Sequence, residues 1–317
     1  RDLVRSRGLG DVYKRQGNTL VIVGNGFDLW HGLPTSYADF KIFLENNGNH
    51  KNFLEDISKY IDESALWSDF EHALGEIDDA VVLGDSDFGG GGDYNMIRER
   101  LSFHTQISEK LRLWLSSVVI ESSKELDHSE LLAPHFKYLN FNYTSTLEKL
   151  YRIESSNIFY IHGSLQCSTE KLICGHNTSC PYGSYFNIPT GKSGLLVVES
   201  PENALIEYYE YTRKDSEIII SNNQKYFEEL NDVSEIFILG HSMGDVDKEY
   251  FREIACHVQQ NSMWNISYHS EKDKNNIKKT MQYIEEECGI SPQIEYITLD
   301  SYAFEKILCN KEIIWKK

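Results

Sequence analysis

Apolar positions along the chain follow two rhythms. Short unbroken runs recur at wide intervals, as in strands buried on both faces of a parallel sheet. Between them lie stretches with an apolar residue every three or four positions, as in amphipathic helices. The first run is Thr19–Val23 (TLVIV), closed by Gly24. Comparable runs fall at Tyr138–Phe141, Ile158–His162, Leu172–Cys174, Ile218–Ile220, Glu235–Leu239, Trp264–Tyr268 and Ile294–Ile297. Helical spacing appears at Ser36–Asn46, where positions 37, 40, 43 and 44 are apolar, and again at Leu66–Leu83 and Asn95–Ser122. It returns at Ser145–Arg152, Asp247–Val258 and Asp273–Glu287. The expected fold is α/β, a mostly parallel Rossmann-like sheet covered on both faces, in one domain over 17–317. A large helical insert at about 36–130 interrupts the strand series. No internal repeat is visible.

Composition changes this picture at one end. Residues 1–16, RDLVRSRGLGDVYKRQ, carry five Lys or Arg against two acids and show no periodicity. They read as a non-native or disordered tail and are set apart from the fold. The whole chain has a formal charge of −18, so the remainder is more acidic still. Such a body repels a phosphate backbone, which argues against general nucleic-acid binding. No apolar run reaches the roughly 18 residues of a membrane span. With six cysteines and no secretion signal, reduced thiols and a cytoplasmic setting are expected.

Candidate chemistry gathers at strand ends, where open α/β sheets bind ligands. Gly24-Asn25-Gly26-Phe27-Asp28 follows the first strand. Two glycines there allow close backbone approach to a ligand or make a plain tight turn. The full G-x-G-x-x-G is absent, because position 29 is Leu. Asn140-Phe141-Asn142-Tyr143-Thr144 follows the second, where Asn142 either holds a sugar or amide or caps a helix. His162-Gly163 closes the third and suits a general base or a ribose contact. Gly240-His241-Ser242-Met243-Gly244 matches the nucleophile elbow of a hydrolase, with Asp273 and His269, or Asp247 and His257, as partners for Ser242. The first pair runs in the wrong chain order, and the second shares one helix. Gly191-Lys192-Ser193 lacks the earlier glycine of a P-loop. Cys167, Cys174, His176 and Cys180 lack the paired spacing of a zinc ribbon, so no metal site is assigned. Asp69 and Glu71, in the helical WSDFE, are further carboxylates of the insert.

Taken together and in order, GNGFDLWHGLPTSYADF, LWSDFE, FNYTSTLEKLY with IHGSL, CGHN and LGHSMGDVDKEYF resemble the AbiH-type bacteriophage abortive-infection family, from about residue 18 to 252. A more distant likeness is to sirtuin-like NAD-binding proteins. That likeness implies that Gly24, Asn25 and Gly26 line a dinucleotide and that Asn142 holds the nicotinamide-side ribose or the attacking water. It also implies that His162 acts on a ribose hydroxyl or as general base, and that Gly240, His241 and Ser242 form a ribose-contacting turn. Asp28, Asp245 and Asp247 are carboxylates available to a cationic sugar centre. The first turn differs from the sirtuin Gly-Ala-Gly, Thr144 replaces its aspartate, and the zinc ribbon is missing. These departures point away from lysine deacylation and toward simple hydrolysis of NAD to nicotinamide and ADP-ribose. The expected protein is an antiphage effector with a nucleotide ligand and a phage or host protein as trigger. Two other readings stand beside it: a catalytically inactive nucleotide sensor or interaction module, and a Ser242 hydrolase.

Overall fold

The computed structural model describes residues 19–84, 94–123, 132–133, 136–183 and 200–302. The basic tail, the glycine-rich stretch before Tyr94 and Gly191-Lys192-Ser193 lie outside the described residues. In chain order the first elements are β1 (Thr19–Val23), α1 (Asn25–Trp30), α2 (Tyr37–Asn46), α3 (Lys51–Tyr60) and α4 (Glu63–Ser68). Next come α5 (Phe70–Ala73), α6 (Asp79–Leu83), α7 (Tyr94–Arg100), α8 (Ile107–Ser116), β2 (Lys137–Asn140) and α9 (Thr146–Tyr151). Then follow β3 (Ile158–Tyr160), α10 (Pro201–Thr212), α11 (Ser216–Asn222), α12 (Gln224–Glu228) and β4 (Glu235–Leu239). The series ends with α13 (Lys248–His257), β5 (Met263–Ser267), α14 (Glu271–Cys288) and β6 (Gln293–Ile297).

The chain divides into two compact units. One holds the sheet and takes in residues up to Thr35, Val118–Glu170 and those from Ser216 onward; the other is Ser36–Ser117 with Lys171–Asp215. The helical unit thus draws on a second segment beyond the insert read from the sequence.

In the first unit all six strands are parallel, in the order β3-β2-β1-β4-β5-β6. This is the doubly wound Rossmann order, whose direction of winding reverses between β1 and β4. Every residue of β1 is buried, which explains its unbroken apolar run: a central strand has no wet face. Alternate side chains supply two cores. Leu20 and Ile22 join Ile236, Ile238, Trp264 and Ile266 beneath α13 and α14. Val21 and Val23 join Tyr138, Phe237 and Leu239 beneath Phe27, Leu147 and Tyr151. Each fully buried aliphatic or aromatic side chain contributes roughly 1.5–3 kcal/mol. Val23 pairs with Asn140 and with Leu239, and Asn140 pairs with Tyr160. That register brings the carboxyl ends of β1, β2, β3 and β4 level, so their following turns lie side by side.

The second unit is helical and rests on stacked aromatic rings, among them Phe40 on Trp114 at 4.9 Å. Several of its helices start on side-chain caps: Ser36 with Asp39 forms a capping box, and Asp62, Asp69 and Asp78 each accept a backbone N–H. Asp69 is therefore spent on a cap. Glu71 accepts from Lys214 Nζ at 2.6 Å, with the Lys214 side chain 1% exposed. His176 uses both ring nitrogens inside this unit, Nε2 with Thr212 Oγ1 and Nδ1 accepting from Thr178 N–H. Among the described residues no cluster of His, Cys, Asp and Glu is arranged to hold a metal ion. No described helix is long and apolar enough to cross a membrane.

Two expected strands are not strands. Leu172–Cys174 is irregular, and Ile218–Ile220 lies within α11. The isoleucine run suggested a strand, but Ile218 is 58% exposed while Ile220 is buried, the one-sided burial of a helix. The long helix expected over Asn95–Ser122 is broken at Leu101 by a 3-10 turn, Ser102–Gln106, and stops at Ser116.

Candidate functional site

At the point of reversal the turns after β1 and β4 are bound to each other. Gly24 N–H donates to the Leu239 carbonyl at 3.1 Å, and Gly26 N–H to that of Gly240 at 2.7 Å. A Cβ on Gly24 or Gly26 would lie 2.8 Å from Gly240 O, and one on Gly240, whose φ is +67°, would lie 2.0 Å from Phe27 N. All three glycines are thus required by the close contact of two turns. The backbone N–H donors of this turn are used inside the protein at Gly24 and Gly26, and Phe27 N–H bonds the Gly24 carbonyl. Asn25 is exposed, and its Nδ2 donates to the Thr35 carbonyl at 2.7 Å.

Beside this contact the β2 turn folds on its own asparagines. Asn140 Oδ1 accepts from Asn142 N–H at 2.8 Å, and Asn142 Nδ2 donates to the Gly24 carbonyl at 3.1 Å. Asn142 therefore ties β2 to β1 and caps no helix. Thr144 Oγ1 donates to Asp28 Oδ2 at 2.5 Å, and Thr146 Oγ1 donates to Thr144 Oγ1 at 3.2 Å. Asp28 is wholly buried, and its Oδ1 has no hydrogen-bond partner. Burial pushes its carboxyl up to about 6, against the opposing pull of hydrogen bonds from Thr144, Thr146 and Asn142. A carboxyl in that range exchanges its proton near neutral pH, as a general acid or base must.

The third and fourth strand ends bring two histidines to one carboxylate. His162 Nε2 lies 3.3 Å from Tyr250 Oη and 3.8 Å from Asp247 Oδ1. His241 Nε2 lies 3.4 Å from Asp247 Oδ2. His241 Nδ1 accepts from Met243 N–H at 2.9 Å, which assigns the ring proton to Nε2 and aims it at Asp247. Phe141, next to Asn142, presents its ring to both imidazoles, at 5.2 Å from His162 and 4.3 Å from His241. Asp247 stands at the start of α13 with Tyr250 three residues on, so a single helical turn supplies both partners.

Of the residues singled out in the sequence, Asp28, Asn142, His162 and His241 are thus buried at adjacent strand ends. Ser242 and Asp245 are exposed, and Asp245 sits 3.9 Å from Lys248 at the surface. The partners considered for Ser242 are engaged elsewhere. Asp273 accepts from the backbone N–H of His269, and His257 Nδ1 bonds the Glu253 carbonyl. The turn after Ser242 also continues to Lys248 before a helix begins, unlike the direct strand–turn–helix of an elbow. Thr144 and Tyr250 were not assigned to the site from sequence, and Asp247 was read as one of several acids near a sugar cation or as a partner of Ser242, not as the carboxylate of His162 and His241. Their signal was faint: Asp247 before a helix looks like any N-terminal acid.

No curated protein matches the chain. The family model described as bacteriophage abortive infection AbiH matches residues 20–268, well over half of its length. Membership of that family implies a part in antiphage abortive infection. This chain belongs to the bacteriophage abortive infection AbiH family.

Proposed function

We propose that the protein is an abortive-infection effector whose Rossmann-like unit binds NAD beyond the carboxyl ends of β1–β4 and hydrolyses it. One observation carries this reading: Asp28, Asn142, His162, His241 and Asp247 lie at four neighbouring strand ends flanking the strand-order reversal. In the proposed step the bond between the nicotinamide nitrogen and ribose C1′ breaks, and a water oxygen bonds to C1′. His162, backed by Asp247, takes the water proton, and nicotinamide leaves as the neutral base. Carboxylates nearby stabilise the cationic sugar as it forms. Side chains, rather than the glycine turn, carry recognition in this account, since the Gly24 and Gly26 N–H groups are already bonded.

Purified protein incubated with NAD is expected to release nicotinamide and ADP-ribose, followed by chromatography. His162→Ala and Asn142→Ala are expected to stop release. Product formation unaffected in both variants would refute the reading.

A second reading is supported by burial. His162 is 3% and Asn142 7% exposed, which suits a site that senses a ligand without turning it over. It predicts saturable NAD binding with no product, and cellular toxicity, where present, that is independent of NAD loss.

A further inference from the structure

The two helices over one face of the sheet each end in a cysteine. Cys256 is the penultimate residue of α13 and Cys288 the last of α14. Cys288 Sγ donates to the Arg252 carbonyl at 3.3 Å, and that carbonyl lies one turn before Cys256 on α13. Cys256 is also among the groups that raise the Cys288 thiol, so the two side chains are neighbours. Their helices are held together at a second point, where Tyr283 Oη donates to Glu249 Oε1 at 2.9 Å. Cys256 is exposed, whereas Cys288 is half-buried.

We propose that Cys256 and Cys288 form an oxidisable pair that closes to an intramolecular disulfide on exposure to a peroxide. Cys256, open to solvent, reacts first. Its thiolate attacks one peroxide oxygen, the O–O bond breaks, and the departing oxygen leaves as water after taking a proton. The resulting sulfenic acid lies beside Cys288. The Cys288 sulfur attacks the Cys256 sulfur, the S–O bond breaks, and the hydroxyl departs with the Cys288 proton as a second water. The two thiols lose two electrons and the peroxide gains them. Burial and the neighbouring Cys256 push the Cys288 thiol up to about 12, which fits the waiting partner rather than the first to react. The bond would fasten the end of α13 to the end of α14 without unfolding either helix.

The test uses the full chain, hydrogen peroxide, an alkylating quench and non-reducing peptide mapping. The expected product is a linked Cys256–Cys288 peptide pair, lighter by two hydrogens than the two free peptides, in a protein that stays monomeric on a non-reducing gel. Its melting temperature should rise on oxidation and return on adding dithiothreitol. Cys256→Ser and Cys288→Ser should each abolish both effects while retaining the wild-type circular dichroism spectrum. Cys167 provides an internal comparison, since hydrogen bonds from Thr169 lower its thiol and it is exposed. Oxidation confined to Cys167, Cys256 joined to any cysteine other than Cys288, or crosslinked dimers would overturn the proposal.

Discussion

Asp247 Oδ2 faces His241 Nε2 across 3.4 Å, while the Met243 amide occupies the other nitrogen of the ring. The imidazole is therefore held in one tautomer, with its N–H directed at the carboxylate. Asp247→Asn retains the shape but removes the charge. In the proposed reaction it is expected to lower NAD cleavage by about 10²–10⁴-fold, the usual scale of acid–base assistance. Unchanged turnover in a folded D247N protein would remove this pair from the chemistry.

Asp28 makes stability depend on pH. Its carboxyl is raised from 3.8 to about 6 by burial, so between those values the folded chain holds more proton than the unfolded one. The contribution of Asp28 to stability is accordingly greatest below the lower value and falls as pH rises through about 6. Asp28→Asn should flatten this slope and raise stability at pH 7.5 by up to about 3 kcal/mol, yet reduce turnover. Denaturant titrations at several pH values would detect it. A wild-type minus Asp28→Asn difference with the opposite slope would show that the fold lowers this carboxyl's pKa rather than raising it.

Gly240 and Ser242 should respond in opposite ways. Gly240→Ala puts a Cβ at 2.0 Å from the Phe27 nitrogen on a backbone already at φ +67°, and is expected to cost about 3 kcal/mol of stability. Ser242 is exposed, so Ser242→Ala should change stability by less than about 0.5 kcal/mol. The same variant should cleave NAD at the wild-type rate, and a fluorophosphonate probe should not label the parent protein. Labelling lost in Ser242→Ala would instead establish a serine hydrolase.

Lys214, buried, and Glu71, largely so, form an ion pair in the helical unit, 2.6 Å apart. Removing one partner strands a charge in low dielectric, so Glu71→Ala is expected to cost about 3–5 kcal/mol. Replacing both with methionine should recover most of that loss. Thermal melts of the two variants would decide between a stabilising pair and a dispensable one.

The sequence revealed what burial on both faces imposes. β1, β2, β4 and β5 stand where their apolar runs lie, because parallel strands buried on both faces are mostly apolar. Periodicity failed where burial is one-sided and the run is short, as in α11 with its three isoleucines. The glycines of the first turn were recognised as special, but their reason lay about two hundred residues away, in the backbone of Gly240. Likewise Asn142 and Asp28 drew attention by their places after strands. Asp247 was singled out too, but not its link to two histidines, since only the packed ends of β3 and β4 and the start of α13 bring it to His162 and His241.

The strand order has one more consequence, for synthesis. β1 is made before all the other strands, and its neighbours β2 and β4 come much later: Thr19 pairs with Glu235. At 5–20 residues per second a ribosome needs on the order of 10 to 40 s to make the intervening chain. Until β2 emerges both edges of this apolar strand are open, and the edge that takes β4 stays open through the whole interval, exposed to wrong pairing. His241 and Asp247 emerge later still. A nascent or truncated chain therefore carries no assembled site, and any harm the protein does its host is deferred until most of the sheet has been translated.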